Sequence, residues 1–453
     1  MTFDVPNDSR LRSPDFLFGV ATAAYQVEGA AREGGRTPSI WDTFCRQPGR
    51  VLNGDTGDVA CEHYHRWPED LDLVQDLGFD AYRLSISWPR VMPRRGEVNP
   101  EGLRFYEQII DGLVERDVKP IVTLYHWDLP QYLDNRGGWV NRETAYAFAE
   151  FADVVTAALG NRVEAYATLN EPWCSAFLGY ELGVHAPGLK EPRLAYQAAH
   201  HLLLAHGLAL PAMRHNAPQS RHGLVLNFTP SFPATERYDD QAMALLQDAI
   251  NGHWFLEPVL EGRYPSLVTR FRPESTPVVY PGDMDIISRP IDFLGVNYYT
   301  RSLVTHDQDG EAREVRVENA QRTSMDWEVY PHGLYRLLTD LDRQYHLPPL
   351  MVTENGAAVT ETVEDDGIHD DLRCDYYNRH LQAVDQAIRD GVNITGYFAW
   401  SLLDNFEWAE GYSQRFGLVY VDYDSQERIR KRSATLFREF MAERQSAGAG
   451  AAS

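Results

Sequence analysis

Two glutamates in this chain stand where an apolar run gives way to a turn. Glu171 follows Tyr-Ala-Thr-Leu-Asn and precedes Pro172, and Glu354 follows Leu-Met-Val-Thr and precedes Asn355-Gly356. Breaking a glycosidic bond needs such a pair. One carboxyl protonates the departing oxygen, and the other attacks the carbon or activates water. Taken singly, a strand-end glutamate is more often solvated than catalytic, so the pairing depends on a scaffold that brings both over one opening.

The scaffold is readable as an alternation. Eight short apolar runs recur: Phe16–Ala23, Ala81–Ser87, Pro120–Tyr125, Ala165–Leu169, Gly223–Asn227, Asp292–Asn297, Leu350–Thr353 and Ile394–Trp400. Continuous apolar runs rich in β-branched residues suit parallel strands buried on both faces. Between them lie amphipathic stripes. Leu71, Val74 and Leu77 form one, stopped by Gly78, and Leu381, Val384 and Ile388 form another, stopped by Gly391. Ile109, Ile110, Leu113 and Val114 make a third, and Phe148, Phe151, Ala152, Val155 and Leu159 a fourth. No Pro/Gly/Ser-rich linker divides residues 14 to 440, so one domain is expected across 1–453, with a frayed small-residue tail from Ser446. Strand–helix alternation repeated eight times predicts an α/β fold, a single (β/α)8 TIM barrel with extended βα loops; an open sheet with an inserted domain is the lesser alternative.

Barrel active sites lie at the C-terminal ends of the strands. There this sequence places Gln26, Arg83, His126, Asn170-Glu171, Asn297 with Tyr299, Glu354, and Trp400. Any one of them could simply be entering solvent. Seven such ends converging on one rim argue for a site.

Composition narrows the partners. With 42 Lys+Arg against 66 Asp+Glu, the net charge of −24 disfavours nucleic acid and anionic membranes. No stretch reaches the roughly 20 apolar residues of a membrane span. The four cysteines are scattered and form no framework. A soluble, cytoplasmic protein acting on a small carbohydrate is expected, with no cofactor and no metal, and oligomerisation left open. The 53 aromatic residues (10 Trp, 24 Tyr, 19 Phe) suit a ring-binding cleft as well as a core.

The strings FLFGVATAAYQVEGA, YRLSISWPRVMP, TLYHWDLP, TLNEPW, DFLGVNYYT, VTENGAA and GYFAWSLLDNFEWAEGYSQRFGLVYVD run in order along the chain. Together they resemble glycoside hydrolase family 1, the β-glucosidase family. The resemblance implies a retaining mechanism through a covalent glycosyl-enzyme, with Glu171 as acid/base and Glu354 as nucleophile roughly 5–5.5 Å apart. It implies that Gln26, His126, Asn170, Glu407 and Trp408 bind the nonreducing sugar. Trp400 would be a stacking platform, though for that residue alone a core role is the commoner one. Phe416 would close the pocket, and Trp173 and Trp327 would border the leaving group. Asn170 would bond the 2-hydroxyl.

The chemistry of the roles adds expectations. Glu354 must attack as an anion, so donors should surround it: Arg83 and a tyrosine of Asn297-Tyr298-Tyr299. Tyr299 is preferred, since positions i and i+2 share a strand face. Glu171 must hold its proton at neutral pH, which calls for apolar surroundings and the nearby charge of Glu354. A bell-shaped pH profile with limbs at roughly 5 and 7 follows. A carboxylate at Glu407 should repel a 6-phosphate, so unphosphorylated β-glucosides are expected, with some acceptance of galactosides and fucosides. The presence of Glu171 disfavours the thioglucosidase branch. A transglycosylase and a non-catalytic sugar binder are the alternatives.

Three other strings are set aside. Cys61-Glu62-His63-Tyr64-His65 lacks metal-site spacing and is read as structural. Asp365–Asp371 lacks the closing glutamate of a calcium loop and is read as a charged surface loop, and Glu33–Arg36 is no phosphate cradle. His200, His201 and His206 are read as packing or surface residues of a helix.

Overall fold

The computed structural model describes residues 2–273, 276–307, 312–364 and 367–451. Eight parallel strands close into a barrel: β1 (Leu17–Ala21), β2 (Ala81–Ser85), β3 (Lys119–Tyr125), β4 (Ala165–Asn170), β5 (Arg221–Phe228), β6 (Phe293–Tyr298), β7 (Leu350–Asn355) and β8 (Ile394–Trp400). Each pairs with the next in sequence, and β8 returns to β1. All eight apolar runs become these strands. The seventh run extends further than expected, so Glu354 lies within β7.

The four stripes become the helices His63–Asp76, Pro100–Glu115, Glu143–Leu159 and Asp371–Arg389, with most of their apolar residues buried; Leu77 falls just past the first helix, and Val114, expected on the stripe of the second, is 48% exposed because it sits on the solvent side of that helix's last turn. Gly78 and Gly391 follow the first and last of these at φ +78° and +106°, the left-handed turn that ends a helix. The small-residue run from Ser446 continues the final helix, Arg432–Ala451, in keeping with the helix propensity of alanine; Ala452 and Ser453 lie outside the described residues. The sequence did not reveal the short strands outside the barrel, such as the hairpins Thr362–Glu364 with Gly367–His369 and Val419–Val421 with Arg428–Arg430.

The barrel interior is a plug of Leu17, Ala81, Ile121, Ala165, Ala167, Val225, Phe293, Met351 and Phe398. A Cβ at Gly19 would lie 2.3 Å from the Phe398 ring, so the glycine leaves the room that Phe398 fills. Above the plug a smaller cluster of Ala21, Ala23, Ala358, Trp400 and Phe416 underlies the open rim. The strand ends there are irregular. Register slips between Ala167 and Asn170 on β4 and between Val352 and Glu354 on β7, one before each glutamate. Such bulges re-aim side chains at barrel rims.

Gly356 closes the turn after β7. A Cβ there would sit 1.9 Å from the Trp400 carbonyl oxygen, which is backbone and cannot step aside. Gly356→Ala is therefore expected to destabilise by about 3 kcal/mol, read as a lowered denaturant midpoint. An unchanged midpoint would show that β7 and β8 do not approach this closely.

Candidate active site

Both glutamates reach one cavity of about 960 Å3 at the C-terminal rim. Glu354 accepts hydrogen bonds from Arg83 Nη1 at 2.6 Å through Oε1 and from the Tyr299 hydroxyl at 2.6 Å through Oε2. The Tyr298 hydroxyl instead bonds the Tyr330 carbonyl, as strand alternation predicts. Arg83 is fully buried on β2. Its second nitrogen donates to Asn170 Oδ1 at 2.7 Å, so one guanidinium ties β4 to β7.

Glu171 is the first residue beyond β4, at φ +45°, with its N–H on the Val225 carbonyl. Its Oε1 accepts from Asn297 Nδ2 at 2.7 Å, and its Oε2 faces Cys174 Sγ at 3.2 Å. Only 6% of the residue is exposed. Burial first, and the charge of Glu354 second, push its pKa up to about 8.

Asn170 is wholly buried. Arg83 can only donate, so Oδ1 faces it, and Nδ2 lies 3.1 Å from His126 Nε2. Burial holds His126 neutral, and its Nδ1 finds no protein partner. Gln26 Nε2 donates to Asn405 Oδ1 and to the Phe406 carbonyl, both at 2.9 Å, while its Oε1 is buried and unpartnered. Buried polar atoms normally find partners; an unpartnered His126 Nδ1 on the cavity wall suits a ligand rich in hydroxyls.

The loop from Ser401 to Phe416 carries Glu407 and Trp408. Asp404 anchors it, accepting from Lys431 Nζ at 2.6 Å, Arg415 Nη1 at 2.7 Å and the Gly417 N–H at 2.9 Å. Gln26 reaches Glu407 Oε2 at 3.4 Å. Burial, then the charges of Glu354 and Glu171, push Glu407 up to about 8 as well. That shift favours the protonated form of Glu407, whereas the sequence expectation takes it as an anion. A phosphate still finds no free cation in this loop, since Asp404 holds Arg415, the one basic residue between Ser401 and Phe416.

Aromatic rings form the walls. His126 stacks against Trp400 at 5.9 Å and Trp408 at 6.0 Å between centroids. Trp327 packs on Tyr299 and Phe416 at 5.4 and 6.0 Å. Trp173 lines the same cavity and stacks on Phe177. Every site residue expected from sequence lies at this cavity or one hydrogen bond behind it, where Gln26, Arg83 and Asn170 sit. The sequence reading missed Trp127, whose Nε1 donates to the Asn170 carbonyl at 2.9 Å, and Cys174. The position of Cys174, one helical turn after Glu171, was the available signal.

The strings set aside have other partners. His63 bonds Asp70 at 2.7 Å, and Cys61 Sγ donates to the Asp404 carbonyl. Arg36 pairs with Asp42. His200, His201 and His206 are buried on Pro192–Asn216. Of the acidic string, Asp365 and Asp366 lie outside the described residues. Asp370 is not a surface residue: it is 2% exposed and bonded to Arg373 and Ser433, because it caps the contact between two helices.

Two buried carboxyls facing one cavity on a parallel barrel define a hydrolase of the acid/base type. The chain belongs to glycosyl hydrolase family 1, whose profile matches residues 9–446. It is 48% identical to beta-glucosidase A of Thermotoga maritima over 92% of this chain and 95% of that protein. It is 50% identical to a bifunctional beta-D-glucosidase/beta-D-fucosidase of Bifidobacterium breve, over 94% and 97%. The GH1 beta-glucosidase structure from Exiguobacterium antarcticum B7 superposes with TM-score 0.94 at 42% identity, covering 99% of this chain and 100% of that one.

The raised pKa of Glu171 has a stability consequence. The folded chain keeps this proton up to about 8, whereas an ordinary glutamate releases it near 4.5. Folding loses nothing from this group below 4.5 and progressively more as pH climbs through 8. Glu171→Gln keeps an acceptor for Asn297 and removes the titration. Its melting temperature is expected to match the parent near pH 5 and exceed it by roughly 3 °C at pH 8.5. A gain equal at both pH values would show that ionisation is not its source.

Proposed function

We propose that the protein is a retaining β-glucosidase that removes nonreducing terminal β-D-glucosyl residues from unphosphorylated β-glucosides and oligosaccharides. The family and the names of its relatives support the substrate class, and the bifunctional relative supports a side activity on fucosides. One observation carries the mechanism. Glu354 is faced by two donors, Arg83 and Tyr299, while Glu171 is buried and keeps its proton to about 8. One carboxyl is equipped to act as an anion and the other as an acid.

In the first step Glu354 attacks the anomeric carbon and Glu171 gives its hydrogen to the departing oxygen, leaving a glycosyl ester on Glu354. In the second step Glu171 takes a proton from water, which attacks the same carbon and frees Glu354. Gln26, His126, Asn170, Glu407 and Trp408 hold the sugar, with Asn170 on the 2-hydroxyl and Trp400 beneath the ring. Phe416 closes that pocket, while Trp173 and Trp327 border the departing group. Retention calls for the two carboxyls to stand roughly 5–5.5 Å apart. The four free cysteines suit action in a reducing, cytoplasmic compartment. Among the described residues no helix is long and apolar enough to cross a membrane.

Glu354→Ala is expected to lower kcat on an aryl β-glucoside by roughly 1,000-fold or more, with azide restoring turnover to an inverted product. Glu171→Ala should cost roughly 100-fold or more on cellobiose but little in the first step with a dinitrophenyl leaving group, which needs no proton. Full activity in Glu354→Ala would remove the nucleophile assignment.

Since Glu171 must carry its proton to act as acid, kcat/KM should fall as pH rises through about 8, higher than the limb near 7 expected from sequence. A profile flat from pH 4 to 9 would contradict the assignment.

A further inference from the structure

Glu171 has a close neighbour that the cycle above leaves unused. Cys174 opens a π-helical turn, Cys174–Leu178, and its N–H bonds the Glu171 carbonyl at 3.0 Å. Its Sγ lies 3.2 Å from Glu171 Oε2, and its side chain lines the cavity while only 7% of the residue is exposed. The other oxygen, Oε1, accepts from Asn297 Nδ2. An amide N–H can only donate, so Oε1 serves as an acceptor in both protonation states. The acid hydrogen therefore resides on Oε2, the oxygen beside the thiol.

We infer that Cys174 is a positioning residue for the acid/base proton: its thiol donates weakly to Oε2 while Glu171 is ionised and leaves the Oε2 hydrogen free for the departing oxygen while it is not. This rests on the reading of Glu171 as acid/base.

The weakness of sulfur as a partner is what suits it here. A carboxyl that gains and loses a proton every turnover is hindered by a partner that strongly favours one form. A serine hydroxyl in this place would stabilise the carboxylate and pull its proton affinity down. An alanine would leave the ionised oxygen without a donor and push the affinity up. The thiol stands between these limits. Burial and the charge of Glu171 raise the thiol's own pKa well above its ordinary value, so the S–H survives throughout the working range.

The charged groups that act most strongly on Glu171 are Glu354 on β7 and Arg83 on β2, and Glu407 beyond β8 borders the same cavity. The Tyr299 hydroxyl and the rings of His126 and His185 line that cavity, and burial keeps all three neutral. Cys174→Ser and Cys174→Ala leave all six in place.

The test is the pH dependence of kcat/KM on cellobiose, whose departure needs acid assistance. Cys174→Ser is expected to move the alkaline limb down and Cys174→Ala to move it up, each by roughly half a pH unit or more. The first step with a dinitrophenyl glucoside should stay within about twofold of the parent for both. Limbs that coincide with the parent would overturn the proposal, as would shifts in the same direction, which report altered packing. A uniform loss of rate with an unmoved limb would also overturn it. Glu171→Gln separates this idea from the one beneath it. If that variant keeps its activity on cellobiose, the acid/base reading falls and takes this proposal with it. If it loses that activity and the cysteine variants leave the limb in place, only the role of the thiol falls.

Discussion

One buried guanidinium faces three carboxyls. Glu171, Glu354 and Glu407 all border the same cavity, and Arg83 donates to only one of them. The arginines on the cavity wall each have a carboxylate partner, Arg301 with Glu328 and both Arg316 and Arg322 with Asp326, which lines the same cavity. A buried carboxylate without a cation costs several kcal/mol, and three negative charges in one cavity repel besides. Arg83 pairs with Glu354, while burial and the neighbouring carboxyls push Glu171 and Glu407 up, each to about 8. In the proposed cycle the division between an anionic and an acidic carboxyl follows from where that one cation points.

That arrangement demands exact placement of Arg83, which is why so much backbone is constrained around it. Arg83 leaves the β2 strand fully buried, and its two nitrogens span from β7 to β4. Asn170 is fixed in turn by Asn297, by His126 and, through its carbonyl, by Trp127. Three non-glycine residues at the rim, Trp127, Glu171 and Trp408, adopt positive φ. Each such residue costs on the order of 1–3 kcal/mol, and the rigid plug and helices beneath supply the stability that holds them there.

Much of this was legible in the sequence because it follows periodicity. Eight apolar runs gave eight strands, and the two-residue spacing of Asn297 and Tyr299 placed their side chains on Glu171 and Glu354 respectively. What was not legible depends on three-dimensional sums. Glu407 reads as an anion from its residue type alone. Burial first, then the charges of Glu354 and Glu171 arriving from distant strands, push its pKa up. The register slips before both glutamates have no local signature either. They fall where β4 and β7 reach the rim and carry a glutamate toward the cavity. Asp370 was misread for the same reason, as its partners Arg373 and Ser433 belong to helices that meet only in the fold.

The same electrostatics can run a two-step reaction without moving the scaffold. In the proposed cycle, attack converts Glu354 from an anion into a neutral ester. The charge that was the second cause of the high pKa of Glu171 then disappears, while its burial stays. Glu171 has just lost its hydrogen to the departing group, and with the neighbouring charge gone its ionised form is easier to sustain, as a base for water requires. When water frees Glu354 the charge returns, and Glu171 is driven to keep the proton it took. The switch between acid and base is therefore timed by the covalent state of the partner carboxyl. It requires that no other cation neutralise Glu354 independently, and Arg301, Arg316 and Arg322 are each paired with a carboxylate of their own.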